Sequence, residues 1–398
     1  MMISSLSIGT IGFALDFPCD HMMNWLSLAL GLLIWIGVMW DGFATTVLPR
    51  TVAPMKRLSG RFYHWSWHFW SLAARRIRTD ERRLGFLAIY GPLSVMLLLV
   101  IWASLAVVAF ALIYQGLGSR FQEDGLPVSF GTLIYMSGTT FLTLGLGDVT
   151  SPDLLGRMFM VFESATGFVF LGLIITYMPL LDQAYASREV GGLLLQSRAG
   201  KPPSAVRLLR RYTGADRSQI LRDNLREGEQ WMAAILQSHL SHPVLCFYRA
   251  QHYGQSWLVS LTTIMDTSAL LVVGGEGLVR EQARLTYRMG LLLLTDLASA
   301  LKLKVPTQVD SRLTESHLPA LRAALSSGGI ALRLGPTEGT ELVRINRRYD
   351  VYLHAMSRWL MITLPPWIPP ADDPSAVQGL EHTQAWNPIE PESRETAG

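Results

Sequence analysis

The chain has 398 residues and a formal net charge of +3 at pH 7. Apolar residues make up 49% of it and charged residues only 16%, which excludes a disordered protein and is typical of a membrane protein rather than a soluble enzyme. The small net charge argues against nucleic acid as a partner, and two cysteines far apart in sequence exclude a disulfide framework.

The N-terminal residues 1–24 contain an apolar run that is short for a membrane span and has no Lys or Arg ahead of it. A secretory signal would carry that basic flank. We therefore predict a non-cytoplasmic N-terminal extension, with a processed or wrongly started leader as the alternative.

Three stretches are apolar and long enough to cross a membrane. A spanning helix needs roughly 20 mostly apolar residues to cross about 30 Å of hydrocarbon. The sequence predicts such helices at 25–48, 86–114 and 158–181. A fourth apolar stretch, 257–275, carries Asp266 in its middle.

The basic residues predict the orientation, because Lys and Arg next to spans are retained on the cytoplasmic side. They are frequent in the segment 49–85 and again directly after the third span, whereas residues 1–24 contain none. The segment between the second and third spans is acidic on balance. We therefore expect the N-terminus outside and the C-terminus in the cytoplasm.

The cytoplasmic segment 49–85 combines a crowd of aromatic residues with a following basic cluster at 75–78. The aromatic residues are Phe62, Tyr63, Trp65, Trp67, Phe69 and Trp70. Aromatic rings and cations together are typical of the lipid headgroup layer. The segment predicts an interfacial helix, with ordinary packing beneath the helix bundle as the alternative.

A short apolar segment lies between the second and third spans and reads PVSFGTLIYMSGTTFLTLGLGDVTSP over 127–152. Pro127 is suited to open a helix, and 132–141 is apolar enough to be buried but too short to cross. Non-helical backbone at membrane depth is tolerated only where it is buried in protein or lines a water-filled path. The segment therefore predicts a re-entrant loop entering from the outside.

The end of this loop has the residue types of a cation-conducting lining. Backbone carbonyls that face a common axis can replace the hydration shell of a cation, and the Thr143 hydroxyl can add an inner ring. Gly145 and Gly147 alternate with leucines and supply backbone dihedrals that other residues resist. Asp148 would stand at the outer mouth, where it either attracts cations or bonds to the structure behind the loop.

Residues 143–148 resemble the Thr-Val-Gly-Tyr-Gly-Asp filter of the potassium channel family, with Leu146 in place of the usual aromatic residue. The resemblance implies a pore domain at 86–181, a homotetramer around a central axis and potassium as the permeant ion. It also places Gly167 near the family's hinge glycine. The filter residues that it implies are Thr143, Leu144, Gly145, Leu146 and Gly147. The alternatives are a plain turn, a degenerate nucleotide-binding loop, which the predicted external position disfavours, and a structural or non-conducting pore.

The third span contains one carboxylate, Glu163, which is costly in a membrane unless it has a partner or faces water. It would pair with Arg157, brace the loop backbone or line the ion path. Gly167 and Gly172 are either hinges or small residues for close helix packing. Pro179 removes a backbone donor and predicts a kink, with a gate nearby as a further hypothesis.

From residue 182 the chain changes to mixed charge and helical patterns, which predicts a cytoplasmic helical domain over 182–363. The stretch 257–275 is interpreted as a buried helix of this domain, since a fourth span would place following arginines outside. Residues that repeat three and four apart form a seam on one further helix, and core packing is favoured over subunit pairing. They are Leu342, Ile345, Tyr349, Tyr352, Met356 and Trp359.

Few residues outside the pore loop form patterns that indicate metal binding or catalysis. His239, His242, Cys246 and His252 are the one group with metal-ligand residue types, and their spacing matches no zinc pattern, so packing or capping is favoured. No arrangement for catalysis stands out, so we expect no enzyme, and no cofactor other than the permeant potassium. The proline-rich stretch 364–398 predicts a disordered tail.

Together these observations predict an all-α membrane protein with three transmembrane helices, a re-entrant pore loop and a helical cytoplasmic C-terminal domain. The expected function is a homotetrameric cation channel selective for potassium. Its expected partners are the bilayer, further copies of the chain and an unidentified cytoplasmic regulator. The alternative is a non-conducting membrane sensor or scaffold that keeps the pore fold and acts through its tail.

Overall fold

The computed structural model describes residues 19–46, 57–118, 122–123, 126–127, 129–151, 153–201, 203–212, 217–250, 256–330 and 332–368. Side chains are described from residue 25 onward, and not at 122–127. Most of the predicted extension, His252 and the tail from residue 369 therefore lie outside the described residues.

The described residues are helical apart from loops and one two-residue strand pair, which confirms the predicted all-α class. The first half contains α1 (Cys19–Thr46), α2 (Leu58–Arg75), α3 (Asp80–Gly116), the antiparallel strands β1 (Gln122–Glu123) and β2 (Leu126–Pro127), α4 (Phe130–Phe141) and α5 (Leu154–Ala199). The second half contains α6 (Ala205–Arg211), α7 (Ser218–Ser241), α8 (Trp257–Gly274), α9 (Gly277–Ala300), α10 (Leu318–Ser327) and α11 (Pro336–Leu360), with 3₁₀ turns at Pro243–Phe247 and Glu315–His317.

The chain divides into two compact units. The first comprises Met1–Trp65 and Ser94–Met178, and the second comprises Ser66–Leu93 and Pro179–Gly398. Helices α3 and α5 each contribute to both, and each contains a proline at the division, Pro92 in α3 and Pro179 in α5. Helix α5 continues through Pro179, although the missing N–H interrupts its hydrogen-bond ladder there.

In the first unit, α1, α3, α4 and α5 pack around aromatic residues of α3. Phe110 and Tyr114 are fully buried there, with α4 on one side and α1 on another. Glycines allow the close approach of α1 and α3, because a Cβ at Gly116 would lie 2.4 Å from the backbone nitrogen of Leu28. This core fixes the helix that precedes the pore loop.

Asp41, the one carboxylate in the predicted first span, is buried and accepts three hydrogen bonds. The donors are the backbone N–H of Ser59 at 2.9 Å, the Ser59 hydroxyl at 3.0 Å and the Trp102 indole N–H at 2.9 Å. Ser59 lies in the first turn of α2, where the helix dipole favours a negative charge. The carboxylate therefore joins the start of α2 to α1 and α3.

Among the described residues, four helices are long and apolar enough to cross a membrane: Trp25–Thr46, Asp80–Gly116, Leu154–Ala199 and Trp257–Gly274. In their most apolar windows, 22%, 44% and 22% of the first three are buried within the chain, against 89% of the last. A helix facing lipid leaves apolar side chains uncovered by protein. The burial of α8 therefore favours the predicted helix inside a bundle.

In the second unit, a buried polar network holds α8. The Arg312 guanidinium donates to both oxygens of Asp266, at 2.9 and 2.8 Å, and its Nε donates to Asp350 at 2.7 Å. The Tyr349 hydroxyl donates to Asp266 at 2.7 Å. The predicted seam of α11 is buried at Tyr349 and at Met356, so its role in core packing is confirmed.

In the predicted interfacial segment, one aromatic side chain packs against protein. Trp67 is buried, its ring centroid lies 4.7 Å from that of Phe247, and its indole N–H donates to the carbonyl of Trp359 at 3.2 Å. The alternative of ordinary packing is therefore correct for Trp67.

The folded part of the second unit extends past the predicted boundary at residue 363. The carbonyl of Pro365 accepts a hydrogen bond from Arg312 at 3.1 Å, and the Trp367 side chain is buried. The predicted start of the disordered tail at residue 364 is therefore wrong, because Trp367 is part of the buried core.

Candidate pore-loop site

The short helix before the loop, α4, begins at Phe130 and not at Pro127. Pro127 pairs with Gln122 in the strand ladder. The side-chain oxygen of Ser129 accepts from the backbone N–H of Thr132 at 3.1 Å and caps the helix. The prediction for Pro127 was wrong because a serine cap, which satisfies a free N–H, lies two residues later.

The chain leaves α4 in a tight turn. The backbone N–H groups of Leu144 and Gly145 both donate to the carbonyl of Thr139, at 2.8 and 3.2 Å. The N–H of Thr143 donates to the carbonyl of Thr140 at 3.0 Å. The end of the helix thereby positions the first residues of the predicted filter.

Every second residue of the predicted filter has a left-handed backbone. The φ angles are 58° at Thr143, 56° at Gly145 and 76° at Gly147. Glycine adopts such angles at little cost, whereas a β-branched residue at positive φ is strained. The glycine alternation was predicted, and the left-handed Thr143 was not. The side chains of 142–148 are all exposed in the single chain.

Asp148 is bonded to the structure behind the loop. Its Oδ2 accepts from the Tyr135 hydroxyl at 2.9 Å, and its Oδ1 accepts from the backbone N–H of Val149 at 3.0 Å. Tyr135 lies on α4, so the residue predicted at the outer mouth is tied to the helix that precedes the loop. Sequence reasoning missed Tyr135, whose position thirteen residues earlier gave no local signal.

Glu163 is fully buried behind the loop and does not pair with Arg157. Its Oε2 accepts from the Tyr114 hydroxyl at 2.7 Å, and its Oε1 lies within hydrogen-bonding reach of the Ser137 hydroxyl. Arg157 instead donates to the carbonyl of Ser151 at 2.9 Å. The two hydroxyls give the Glu163 side chain its hydrogen-bond partners, and these contacts join α5 to α3 and α4.

Gly167 of α5 packs directly on the end of α4. A Cβ at Gly167 would lie 1.9 Å from the carbonyl oxygen of Phe141, whereas one at Gly172 would meet nothing within 4 Å. The close-packing alternative therefore describes Gly167 in this structure. Gly172 and Pro179 lie further along α5.

His239, one of the residues with metal-ligand chemistry, is engaged in packing contacts within the second unit. His239 is fully buried, and its Nδ1–H donates to the carbonyl of Ile235 at 2.9 Å. The ring of His239 lies 5.2 Å from that of Trp257. The part of the chain that the structure describes holds no group of three or more residues able to bind a metal ion.

Comparison with known proteins found a match that covers the loop. Residues 95–179 match the family model described as "Ion channel". The chain is 25% identical over 256 residues to the "Uncharacterized membrane protein YdjJ" of Bacillus subtilis (strain 168). The aligned residues make up 63% of this chain and 71% of that protein. No solved structure matches the chain. The match supports an ion channel rather than an enzyme, in a membrane location.

Proposed function

We propose that the chain conducts potassium ions as a homotetramer, with 143–147 as the filter. The observation that carries the proposal is the alternation of left-handed backbone at Thr143, Gly145 and Gly147, directly after a short helix. Alternating handedness turns successive peptide groups the same way, so their carbonyls can face one axis. Such oxygens replace the hydration shell of a potassium ion.

The residues behind the loop hold it in place. Glu163 accepts from Tyr114 of α3 and contacts Ser137 of α4, and Gly167 lets α5 approach the end of α4. Asp148 is fixed at the outer end through Tyr135. These contacts support positioning roles for Glu163, Gly167 and Asp148, because each ties the loop or the helix before it to a neighbouring element.

A ring of several copies is needed for a closed pore, and the resemblance to the potassium channel family implies that the number is four. One chain supplies one loop, and a closed ring of carbonyls needs several copies around an axis, which cyclic symmetry provides. The exposed side chains of Leu144 and Leu146, and apolar residues such as Phe168 on α5, require cover from neighbouring copies or lipid.

We propose three spans, formed by α1, α3 and α5, with α8 in a cytoplasmic bundle. Helix α3 has 37 residues, more than a span requires. The ring of Tyr248 packs on Gly91, where a Cβ would lie 2.8 Å from it, which supports a span that begins after Gly91. The N-terminus would then lie outside, and the second unit would face the cytoplasm.

Purified protein in liposomes should pass potassium in preference to sodium. The variant Gly145→Ala should lower potassium flux by at least about tenfold, because a side chain at positive φ costs roughly 1–2 kcal/mol in each copy. Crowding is not the reason, since a Cβ at Gly145 meets nothing within 4 Å. The measurement is ion flux under opposed potassium and sodium gradients, with the oligomeric state checked in parallel.

Gly131→Ala is the matched control. Gly131 lies in α4, and its Cβ would meet the Ser129 hydroxyl at an ordinary 3.5 Å, so flux should be retained. Equal flux in wild type and Gly145→Ala would refute the filter assignment. An intact tetramer without flux in the wild type would favour the non-conducting sensor.

A further inference from the structure

Helix α2 presents different chemistry on different sides. On one side, Trp67 and Ala74 are buried. The Trp67 ring packs between those of Tyr90 and Phe247, at centroid distances of 4.9 and 4.7 Å. This side of the helix is occupied by protein.

A second strip of α2 is apolar and exposed. Trp65, Phe69 and Leu72 follow one another at spacings of four and three, so they lie on one side of the helix. Their exposed fractions are 59%, 62% and 45%. Bulky apolar side chains at consecutive helical turns form a contiguous patch, and such patches mark interaction surfaces.

A third strip beside the apolar one is basic. Arg61, His64, His68 and Arg75 recur at spacings of three, four and seven and are all exposed. The helix contains no Asp or Glu, so no acidic side chain on α2 offsets its arginines. The nearest acid beyond its end, Asp80, is paired with Arg83 at 2.7 Å.

We propose that α2 lies along a membrane surface that contains anionic phospholipid. The apolar strip would enter the acyl region, and the basic strip would meet phosphate headgroups. Charge complementarity favours this occupant over a second copy, because two identical basic strips repel. The position of α2 between the apolar helices α1 and α3 also keeps it next to a bilayer.

The test uses spin labels on the full-length chain in nanodiscs. Phe69→Cys places a label on the apolar strip, and Leu285→Cys is the matched control, since Leu285 is 50% exposed on α9. Both are made in a Cys19→Ser background, because Cys246 is buried. With phosphatidylglycerol present, the label at 69 should be relaxed by oxygen severalfold more than by a water-soluble nickel chelate, and the label at 285 should show the reverse.

The insertion of the label at 69 should depend both on the charge of the lipid and on the charge of α2. In nanodiscs of phosphatidylcholine alone, the label at 69 should move toward the behaviour of the label at 285. The variant with His68→Glu and Arg75→Glu should do so even with phosphatidylglycerol. The same reversal at the exposed Arg347 and Arg348 of α11 should have no effect.

Three results would overturn the proposal. Water exposure of the label at 69 with anionic lipid would show that the strip does not enter the bilayer. Indifference to lipid charge would remove the role of the basic strip. Shielding from both reagents would show that protein, such as a second copy, covers the strip. None of these readouts depends on ion conduction, so they are separate from the test of the filter.

Discussion

His239 is held neutral by its surroundings. Burial lowers the pKa of His239 well below its usual value, and the nearby Arg188 cation lowers it further. The Nδ1–H of His239 donates to the carbonyl of Ile235 at 2.9 Å, and an Arg188 nitrogen lies 3.4 Å from Nε2. A second proton would therefore place an imidazolium next to a guanidinium, with no solvent to screen the two positive charges.

Acid should destabilise the second unit through His239. Its folded pKa is depressed, so at neutral pH the ring is neutral in both states, and below about pH 6.5 the unfolded chain binds the extra proton. Stability then falls by up to about 1.4 kcal/mol per pH unit. The unfolding temperature of wild type should drop more between about pH 7.5 and 5.5 than that of His239→Gln.

The control for this prediction is His64→Gln, since His64 is exposed. It should keep the full drop of the wild type. Burial also lowers the pKa of His242, so some pH dependence should remain in His239→Gln. An unchanged drop in that variant would mean that His239 does not couple folding to pH.

The sequence locates buried charges better than it locates their partners. Asp41, Glu163 and Asp266 each stand out in an apolar helix, and each proved to be buried. Their hydrogen-bond donors lie on other helices or in loops, 18 to 83 positions away in sequence, for example Ser59 for Asp41 and Tyr349 for Asp266. Helical periodicity predicts neighbours on one helix, and it does not predict neighbours across two.

At the scale of elements, the contact between α4 and α5 depends on the absence of a side chain at Gly167. Gly167→Ala would place a methyl group against the Phe141 carbonyl and push the two helices apart. Overpacking of this kind costs typically about 1–3 kcal/mol. We expect the unfolding temperature to fall by several degrees and the flux to fall with it, because the contact lies directly before the filter.

Gly172→Ala on the same helix is the matched control. Its Cβ would meet nothing within 4 Å, so stability and flux should stay at wild-type levels. If both alanine variants conduct normally, the contact seen at Gly167 does not position the loop. If both fail, flexibility at the glycines matters more than packing.

The helices could be predicted from the sequence where an apolar run of the right length determines them. The short helix before the loop ends at Phe141 as its apolar run predicts, and the three long apolar helices exist as continuous helices. The stretch that forms α8 was ambiguous, because an apolar helix in a bundle and one in lipid have similar compositions. The partners of Asp266, above all Arg312, explain its burial, and they come from distant parts of the chain.

At the scale of the whole chain, the units do not follow the predicted domains. The second unit includes Ser66–Leu93, which the sequence assigns partly to the interfacial segment and partly to the pore domain. The divisions in α3 and α5 coincide with prolines and not with the ends of the apolar runs at 86 and 181. Hydropathy indicates which part of a helix can enter lipid. The packing of Tyr248 on Gly91 indicates instead that this part of α3 belongs to the second unit.

The proposed topology places the loop outside and everything after α8 inside. In a Cys19→Ser background, Thr150→Cys tests the loop, since Thr150 is exposed just beyond the filter. Leu278→Cys tests the far side of α8, since Leu278 is 68% exposed at the start of α9. A membrane-impermeant thiol reagent applied to intact cells should label residue 150 and leave residue 278 unlabelled.

Permeabilised cells provide the control, because both cysteines should then be labelled. Labelling of residue 278 in intact cells would mean that α8 crosses the membrane, and the buried ion pair between Asp266 and Arg312 makes that arrangement costly. Removal of α8 from its bundle would leave the carboxylate without its guanidinium, and a broken buried pair costs about 3–5 kcal/mol. The same ion pair thus holds an apolar helix of spanning length within the helical bundle of the second unit.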